Sequence, residues 1–324
     1  MSPTAILIEN TLQALCAGLT VGALYGLMCV GLALIFSIMR VINFAQGELL
    51  VAGMYASLFF FVPLGLGALL GPYAGPVVAA LLGGVLVFLL GMGLYQFLLR
   101  RISGLQAAGM EGEGHNPQLT LTLGVSLILS NGALLLFGSS PQTLRTPMSS
   151  NAWELGPLGW LIPGLDITVF FNQARSVGAL IAVAVAVGVA FFITRTRWGK
   201  TLRAAADNPE AATYMGIDVD RCYRLAFGIG AAVTGIAGGL VATYLPFQPY
   251  TGIEFVMVMY AGVVLGGMGS VSGAFLGGLV IGLVQQLSTL VLPQQLQNTA
   301  VFVIFLLVIL LRPQGLFGKT VERV

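Results

Sequence analysis

The chain has 324 residues, of which 57% are hydrophobic and only 8% are charged, and its formal net charge is +2. Soluble domains carry about 25% charged residues, so this composition cannot cover a water-facing surface and excludes an ordinary soluble protein. The small net charge also gives no reason to expect a nucleic-acid partner. We therefore predict an all-α, polytopic transmembrane helical bundle, a single domain over residues 1–324 with the lipid bilayer as its solvent.

Charge-free apolar runs indicate the membrane spans, because a crossing helix needs about 20 apolar residues. Residues 10–39 form either one long helix or two short ones. The run 49–99 is long enough for two crossings, and Pro63 with the two Gly-Pro pairs after it marks the break between them. The run 255–311 has room for three short crossings, with a break at 293–298. We predict about nine crossings, within a range of about eight to ten, with broken or re-entrant segments.

Lys and Arg set the orientation, because these residues concentrate on the cytoplasmic side of a membrane. With Arg100, Arg101 and the charged segment 195–224 inside, the segment 139–175 becomes a folded external loop. Arg312 then places the C-terminus in the cytoplasm. No basic region precedes the first apolar segment, so we expect that segment itself to direct insertion, without a cleavable signal.

Glycine is abundant, with 44 residues, and often recurs at every fourth position, as at Gly18, Gly22 and Gly26. This spacing lets helix backbones approach closely in lipid, where no hydrophobic force drives helices together. We predict close helix packing along such faces.

The segment 195–224 is a charged island in this apolar chain, with six of the 14 Lys and Arg and four of the 12 Asp and Glu. Within it, the sequence Trp198-Gly199-Lys200 indicates a helix end at the membrane interface. Asp207 or Asn208 can cap a short helix that has Pro209 at its first position and stops at Gly216. We predict two short helices along the cytoplasmic surface, with a small-residue face suited to a groove on another protein. A solvated loop is the alternative.

The sequence I-N-F-A-Q-G-E, residues 42–48, stands between two apolar runs. A carboxylate within or near the membrane is by default a functional-site hypothesis. Gly47 allows the backbone to unwind, which is tolerated at membrane depth only against protein or a water-filled cavity. The alternative is that Arg40 and Glu48 form an ordinary pair in the headgroup layer.

The sequence G-G-M-G-S, residues 266–270, predicts a broken helix or a re-entrant turn, since each glycine inside a helix costs about 1 kcal/mol. A phosphate loop is disfavoured because no Lys-Ser or Lys-Thr pair follows. Upstream, Glu254 and Tyr260 are candidates to face the same cavity.

An enzyme is disfavoured, because the chain has one His, at position 115, and no nucleophile elbow or metal-ligand cluster. The three Cys are widely spaced, which predicts neither disulfides nor a metal site. We expect no catalytic residue, metal or cofactor. An ion-gradient-driven carrier or channel is the rival class. It needs deep carboxylates, for which Glu48 and Glu254 are the candidates, and it has no need for the island 195–224.

The second half of the island resembles the coupling loop of ABC-transporter permeases, which reads A-A-x₃-G after a basic helix end. Ala211, Ala212 and Gly216 match this pattern, with Glu210 in the acidic place. The resemblance implies that this loop docks in a cleft of an ATPase subunit and transmits its motion. The residues to which the resemblance assigns this role are Arg203, Ala204, Asp207, Asn208, Pro209, Glu210, Ala211, Ala212, Gly216 and Ile217.

The three motifs, in this order and with R-P-Q-G-L-F-G at 312–318, resemble the branched-chain amino acid ABC-transporter permease family in its first-subunit form, from about residue 11 to residue 319. The resemblance implies a bacterial inner-membrane importer with four kinds of component: this chain, a second homologous permease, two ATPase subunits that hydrolyse ATP, and a periplasmic solute-binding protein. The residues hypothesised to line or gate the solute path are Asn43, Gln46, Gly47 and Glu48, with Gly266, Gly267, Gly269 and Ser270 opposite.

Two features depart from the family pattern. Gln46 stands where the family usually has His, and the segment 105–118 is extended and polar. Related permeases carry urea, short amides or aromatic acids, so these departures leave the solute open between such compounds and branched-chain amino acids.

Overall fold

The computed structural model describes residues 3–101, 116–156, 168–267, 269–293, 296–312 and 314–317. The sequence-based expectations for His115 and for most of 105–118 lie outside the described residues, as do Met268 and the last seven residues. The helices are α1 (Pro3–Met39), α2 (Gln46–Phe61), α3 (Leu66–Phe97), α4 (Asn116–Phe137), α5 (Pro147–Ser150), α6 (Gln173–Arg195), α7 (Arg197–Asp207), α8 (Pro209–Tyr214), α9 (Val219–Val241), α10 (Thr251–Gly266), α11 (Val271–Ser288) and α12 (Gln297–Leu311).

Nine apolar helices form the transmembrane bundle of the described chain, which confirms the all-α polytopic prediction. Six of them, α1, α3, α4, α6, α9 and α11, are long and apolar enough to cross a membrane. Three, α2, α10 and α12, are apolar but have only 15 to 16 residues. A helix of that length rises about 24 Å, less than the hydrocarbon thickness of about 30 Å. The short helices are the broken elements that the sequence predicted.

The first apolar run is one helix rather than two, because α1 runs unbroken for 37 residues. It packs antiparallel against α11, and a Cβ on Gly22 or on Gly26 would meet the backbone of that helix. The glycine spacing predicted this close approach, which only small residues permit.

The break between α2 and α3 lies at residues 62–65, beside Pro63 as predicted. The two Gly-Pro pairs do not contribute to it, so that part of the prediction is wrong. Gly71 instead kinks α3 with φ 78° and ψ 175°, and Pro72 begins the next helical stretch. Proline disfavours the helical conformation of the residue before it, and glycine accepts the left-handed φ that this kink requires.

Two short strands within the segment 139–175 were not predicted from the sequence. Strands β1 (Ala152–Leu155) and β2 (Val169–Asn172) pair antiparallel between α5 and α6. The Gln13 side chain of α1 donates to the Phe170 carbonyl oxygen at 2.7 Å and accepts from the Phe170 amide at 2.9 Å. The start of α1 therefore lies on the same side of the bundle as the loop 139–175.

The predicted break after α10 is present, and the end of the described chain returns to it. Gly267 and Gly269 have φ of 100° and 106°, which ends α10 before α11 begins. The Leu316 amide donates to the Leu265 carbonyl oxygen at 2.8 Å. The chain after α12 thus packs against the C-terminal end of α10, on the side of the bundle opposite to Gln13.

Candidate functional site

The charged island folds as two short helices, and local hydrogen bonds fix their starts. The Thr196 hydroxyl accepts from the Gly199 amide at 3.0 Å, so α7 begins at Arg197. The expected helix end at Trp198-Gly199-Lys200 is therefore wrong, because this cap makes those residues the first turn of a new helix. Of the two candidate caps for α8, the structure selects Asn208, whose Oδ1 accepts from the Ala211 amide at 3.0 Å.

The island is anchored by one apolar face and exposes the rest. Leu202, Ala205 and Ala212 are buried in a cluster that includes Met39 and Tyr223. Seven of the ten predicted coupling residues are exposed: Arg203, Ala204, Asp207, Asn208, Glu210, Ala211 and Gly216. Pro209 and Ile217 are half-buried.

The end of α8 carries an exposed apolar tip that the sequence analysis did not single out. Tyr214 is 88% exposed and Met215 is 81% exposed, directly before Gly216. Gly216 has φ 80°, and the Ile217 amide bonds back to the Ala212 carbonyl oxygen at 3.0 Å. Large apolar groups held on a short capped helix are typical of contacts with a partner protein.

The connection from α1 to α2 is held by buried amides. Arg40, the first residue after α1, has a left-handed φ of 55°. Asn43 Nδ2 donates to Gln46 Oε1 at 2.9 Å, and Gln46 Nε2 donates to Thr234 Oγ1 at 2.5 Å. Asn43 and Gln46 are both 0% exposed. Their side chains fix the break in the backbone against α9, and neither lines the cavity described below.

The first turns of α2 and α10 meet at a pair of glycines. A Cβ on Gly47 would collide with the Gly252 carbonyl oxygen, so both positions need glycine for this approach. Glu48 follows Gly47 in the first turn of α2, where the partial positive charge of the helix end favours a carboxylate. Glu48 is 4% exposed, and the Ser126 hydroxyl donates to its Oε1 at 3.4 Å.

Glu48 faces a partly open cavity of about 790 Å³ between α1, α2, α4, α10 and α12. The described lining is almost wholly apolar, and the polar side chains among its residues are Glu48, Ser126 and Tyr260. The lining residues are Leu32, Phe36, Val41, Ile42, Phe44, Glu48, Leu123, Ser126, Leu127, Ile253, Val256, Met257, Tyr260, Ala261, Val263, Val264, Phe302 and Phe305. Tyr260 lines this cavity, whereas Glu254 is exposed and does not line it.

The glycine-rich turn joins α10 to α11, and its described residues Gly266, Gly267, Gly269 and Ser270 do not line this cavity. A Cβ on Gly266 would meet the backbone of Gly273, and the Ser270 hydroxyl accepts from the Gly273 amide at 3.1 Å. Val263 and Val264, directly before the turn, are the nearest lining residues in sequence.

Sequence reasoning missed Ser126, although a signal for it exists. Thr122, Ser126 and Ser130 recur every four residues in α4 and so share one helix face. Such a polar stripe in an apolar helix indicates a face turned toward protein or a cavity. In the ranges that the structure describes, no group of three or more His, Cys, Asp or Glu side chains is placed to hold a metal ion.

Comparison with known proteins gives one consistent family. The model of the family described as branched-chain amino acid transport system / permease component matches residues 14–311. The chain is 28% identical over 317 residues to the high-affinity branched-chain amino acid transport system permease protein LivH of Escherichia coli K12, covering 97% of each chain. It is 29% identical over 323 residues to the corresponding protein BraD of Pseudomonas aeruginosa, covering 98% of this chain and 99% of BraD.

One relative with similarity over half of the chain is named for a different solute. The autoinducer 2 import system permease protein LsrC of Klebsiella pneumoniae is 30% identical over 174 residues, covering 50% of this chain and 44% of LsrC. No solved structure matches this chain significantly.

Proposed function

The chain belongs to the family of permease components of branched-chain amino acid transport systems, and from this membership we propose that it is the transmembrane subunit of an ATP-driven importer for branched-chain amino acids in the bacterial inner membrane. Near full-length similarity to LivH and BraD supports the solute class. The observation that carries the proposal is the island α7–α8, a capped helix pair with an exposed apolar tip at its end.

The proposed importer needs three kinds of partner protein, and each is assigned to a part of this chain. Two ATPase subunits would hydrolyse ATP and receive the α8 tip in a cleft. A second homologous permease would complete the solute path in a heterodimer, and a periplasmic binding protein would deliver solute to the external face around 139–175. The β1–β2 pair and α5 give that face a defined shape, and Trp153, 48% exposed, offers it an aromatic contact.

The mechanism that fits these parts is alternating access. Closure of the ATPases would move α8, and the buried anchors Leu202, Ala205 and Ala212 would pass this motion to the cytoplasmic end of α1 and to α9. This coupling needs rigid packing between α7–α8 and the membrane helices, because a movement of α8 reaches α1 and α9 only through side chains that stay in contact. The path itself would run along the cavity that Glu48 lines, with the turn at 266–270 holding α10 against α11.

The test begins with a tagged chain purified from native membranes in mild detergent, with co-purifying proteins identified by mass spectrometry. We expect a second permease and an ATPase. The purified assembly is then placed in proteoliposomes with the binding protein, and uptake of radiolabelled leucine, valine, urea and phenylalanine is measured with and without ATP. ATP-dependent uptake of leucine or valine supports the proposal. Recovery of this chain alone, with uptake driven by an ion gradient, would replace it with a secondary carrier.

A further inference from the structure

We propose that the cavity between α1, α2, α4, α10 and α12 is a transit site for the amino acid itself, in which Glu48 receives the ammonium group with the help of Ser126 and Tyr260. This inference rests on the proposed function and adds to it a location and a chemistry of recognition inside the membrane subunit.

The Glu48 carboxylate is buried at the cavity without a cation beside it among the described residues. Its side chain is 4% exposed, and its one observed hydrogen bond comes from Ser126 at the long distance of 3.4 Å. A carboxylate has about four acceptor positions, so most of its capacity is unused. In the described ranges the one ion pair joins Arg100 to Asp220, at another part of the bundle. Burying a carboxylate is costly unless a cation pairs with it. An ammonium group supplies that cation and up to three donors.

Tyr260 is an independent polar group at the same cavity. Its hydroxyl is buried and has no hydrogen-bond partner among the residues that the structure describes. Buried polar groups are rarely left unpaired, so one that lines a cavity indicates a missing ligand. The Tyr260 ring packs on Phe44, which also lines the cavity, with the ring centroids 5.3 Å apart. This hydroxyl can accept from an ammonium group, as the Ser126 hydroxyl also can.

The apolar side chains that line the rest of the cavity suit an aliphatic solute. Leu32, Leu123 and Val256 are among the apolar side chains that surround the three polar groups. The volume of about 790 Å³ lies within the range of small-molecule pockets, about 300–1,000 Å³. The lining residues that the structure describes include no basic side chain, so in this proposal the carboxylate of the amino acid points toward the open side. In a branched-chain amino acid, the ammonium group would contact the three polar groups and the aliphatic side chain would contact the apolar lining.

The first experiment separates recognition from structural support. The assembly is reconstituted in proteoliposomes with wild-type chain, Glu48→Gln or Glu48→Asp, and ATP-driven leucine uptake is measured together with ATP hydrolysis. For Glu48→Gln we expect the maximal uptake rate to fall about tenfold or more, as for loss of one charged hydrogen bond. We expect an unchanged half-saturating concentration of liganded binding protein and sustained ATP hydrolysis. Glu48→Asp keeps the charge and should recover part of the rate.

The matched control is Glu254→Gln, which removes an exposed carboxylate from the first turn of α10, the partner of the α2 first turn. Its uptake should stay near wild type. A purely structural role for Glu48 predicts a different pattern, in which uptake, ATP hydrolysis and recovery of the assembly fall together and Asp gives no rescue. That pattern, or wild-type uptake by Glu48→Gln, overturns the inference. Absence of leucine and valine uptake by the wild type instead overturns the proposed function.

The second experiment locates the solute directly. Leucine carrying a diazirine in its side chain is delivered by the binding protein to the assembly trapped during turnover, and cross-linked peptides are mapped after irradiation. We expect adducts on the lining segments of α4 and α10, diminished in Glu48→Gln and in Tyr260→Phe. Adducts confined to other helices, or none on this chain despite active wild-type uptake, contradict the inference. Tightly bound lipid in the cavity, detected by native mass spectrometry and not displaced by leucine, would also overturn it.

Discussion

The side-chain nitrogen of Gln46 donates a hydrogen bond to the hydroxyl oxygen of Thr234 at 2.5 Å, which joins the first turn of α2 to the middle of α9. The same nitrogen lies 3.4 Å from the Gly230 carbonyl oxygen, one turn earlier on that helix. Gln46 thus holds the break between α1 and α2 at a fixed height in the bundle. Glu48, two residues on, takes its position in the cavity from this anchor.

Replacing Gln46 tests that anchor. Gln46→Leu removes the hydrogen bonds that Gln46 makes with the buried Thr234 hydroxyl and with Asn43 Nδ2, and we expect a loss of about 1–3 kcal/mol of stability. Gln46→His should lose less, because one ring nitrogen can donate to Thr234 while the other accepts from Asn43. Unfolding in detergent by urea measures both, and Thr234→Val in each background isolates the pair. Equal losses for His and Leu would show that the hydrogen bonds are not what holds the break.

The contact of α2 with α9 requires glycine at position 53. A Cβ there would meet the carbonyl oxygen of Gly235, and backbone atoms cannot move aside as a side chain can. We expect Gly53→Ala to destabilise the chain by about 1–3 kcal/mol. Gly93→Ala on α3 is the control, since its Cβ points into open space, and it should be neutral or gain up to about 1 kcal/mol from helix propensity. Thermal unfolding of both variants in one detergent decides whether close packing explains the difference.

The Asn208 cap should control the local stability of α8. Asn208→Ala removes the acceptor for the Ala211 amide, and we expect α8 to lose about 1 kcal/mol. Asn208→Asp keeps the acceptor. Hydrogen exchange at the amides of 211–214 reports this loss, while exchange in α9 should stay unchanged. Uniform acceleration across α8 and α9 would mean that the two helices open as one unit.

Gly216 should matter for coupling rather than for folding. Its φ of 80° disfavours other residues, yet a Cβ there would meet nothing within 4 Å. Gly216→Val strains the end of α8 by about 1–2 kcal/mol and should turn the tip of Tyr214 and Met215, whereas Gly216→Asn accepts this φ. We expect Val to lower solute uptake per ATP hydrolysed while the assembly stays intact. Uptake at the wild-type ratio in Gly216→Val would remove this glycine from the coupling mechanism.

The sequence-based predictions agree best with the structure where residues close together in the sequence determine the local backbone conformation. Asn208, Pro209 and Gly216 lie within nine positions of one another, and their caps and turns need no distant contact, so α8 was predictable with its ends. The correction at Trp198 has the same origin, because the cap that starts α7 comes from Thr196, which the sequence analysis did not consider. The kink at Gly71 shows the limit of this reasoning, since a Gly-Pro pair bends a helix or ends it depending on what packs around it.

The sequence by itself determined the solvent, the helix count and the position of the charged segment 195–224 between two apolar helices of this protein. With 8% charged residues, the chain must have the lipid bilayer as its solvent. Helices cross the bilayer because the backbone groups of a helix form hydrogen bonds within that helix. Only the tertiary structure decided which polar side chains work together. Asn43 and Glu48 belong to one short motif, yet packing turns Asn43 into the protein and Glu48 toward a cavity. Ser126 reaches Glu48 across 78 positions of chain. No local pattern encodes such a meeting, because it depends on how α2, α4 and α10 are packed.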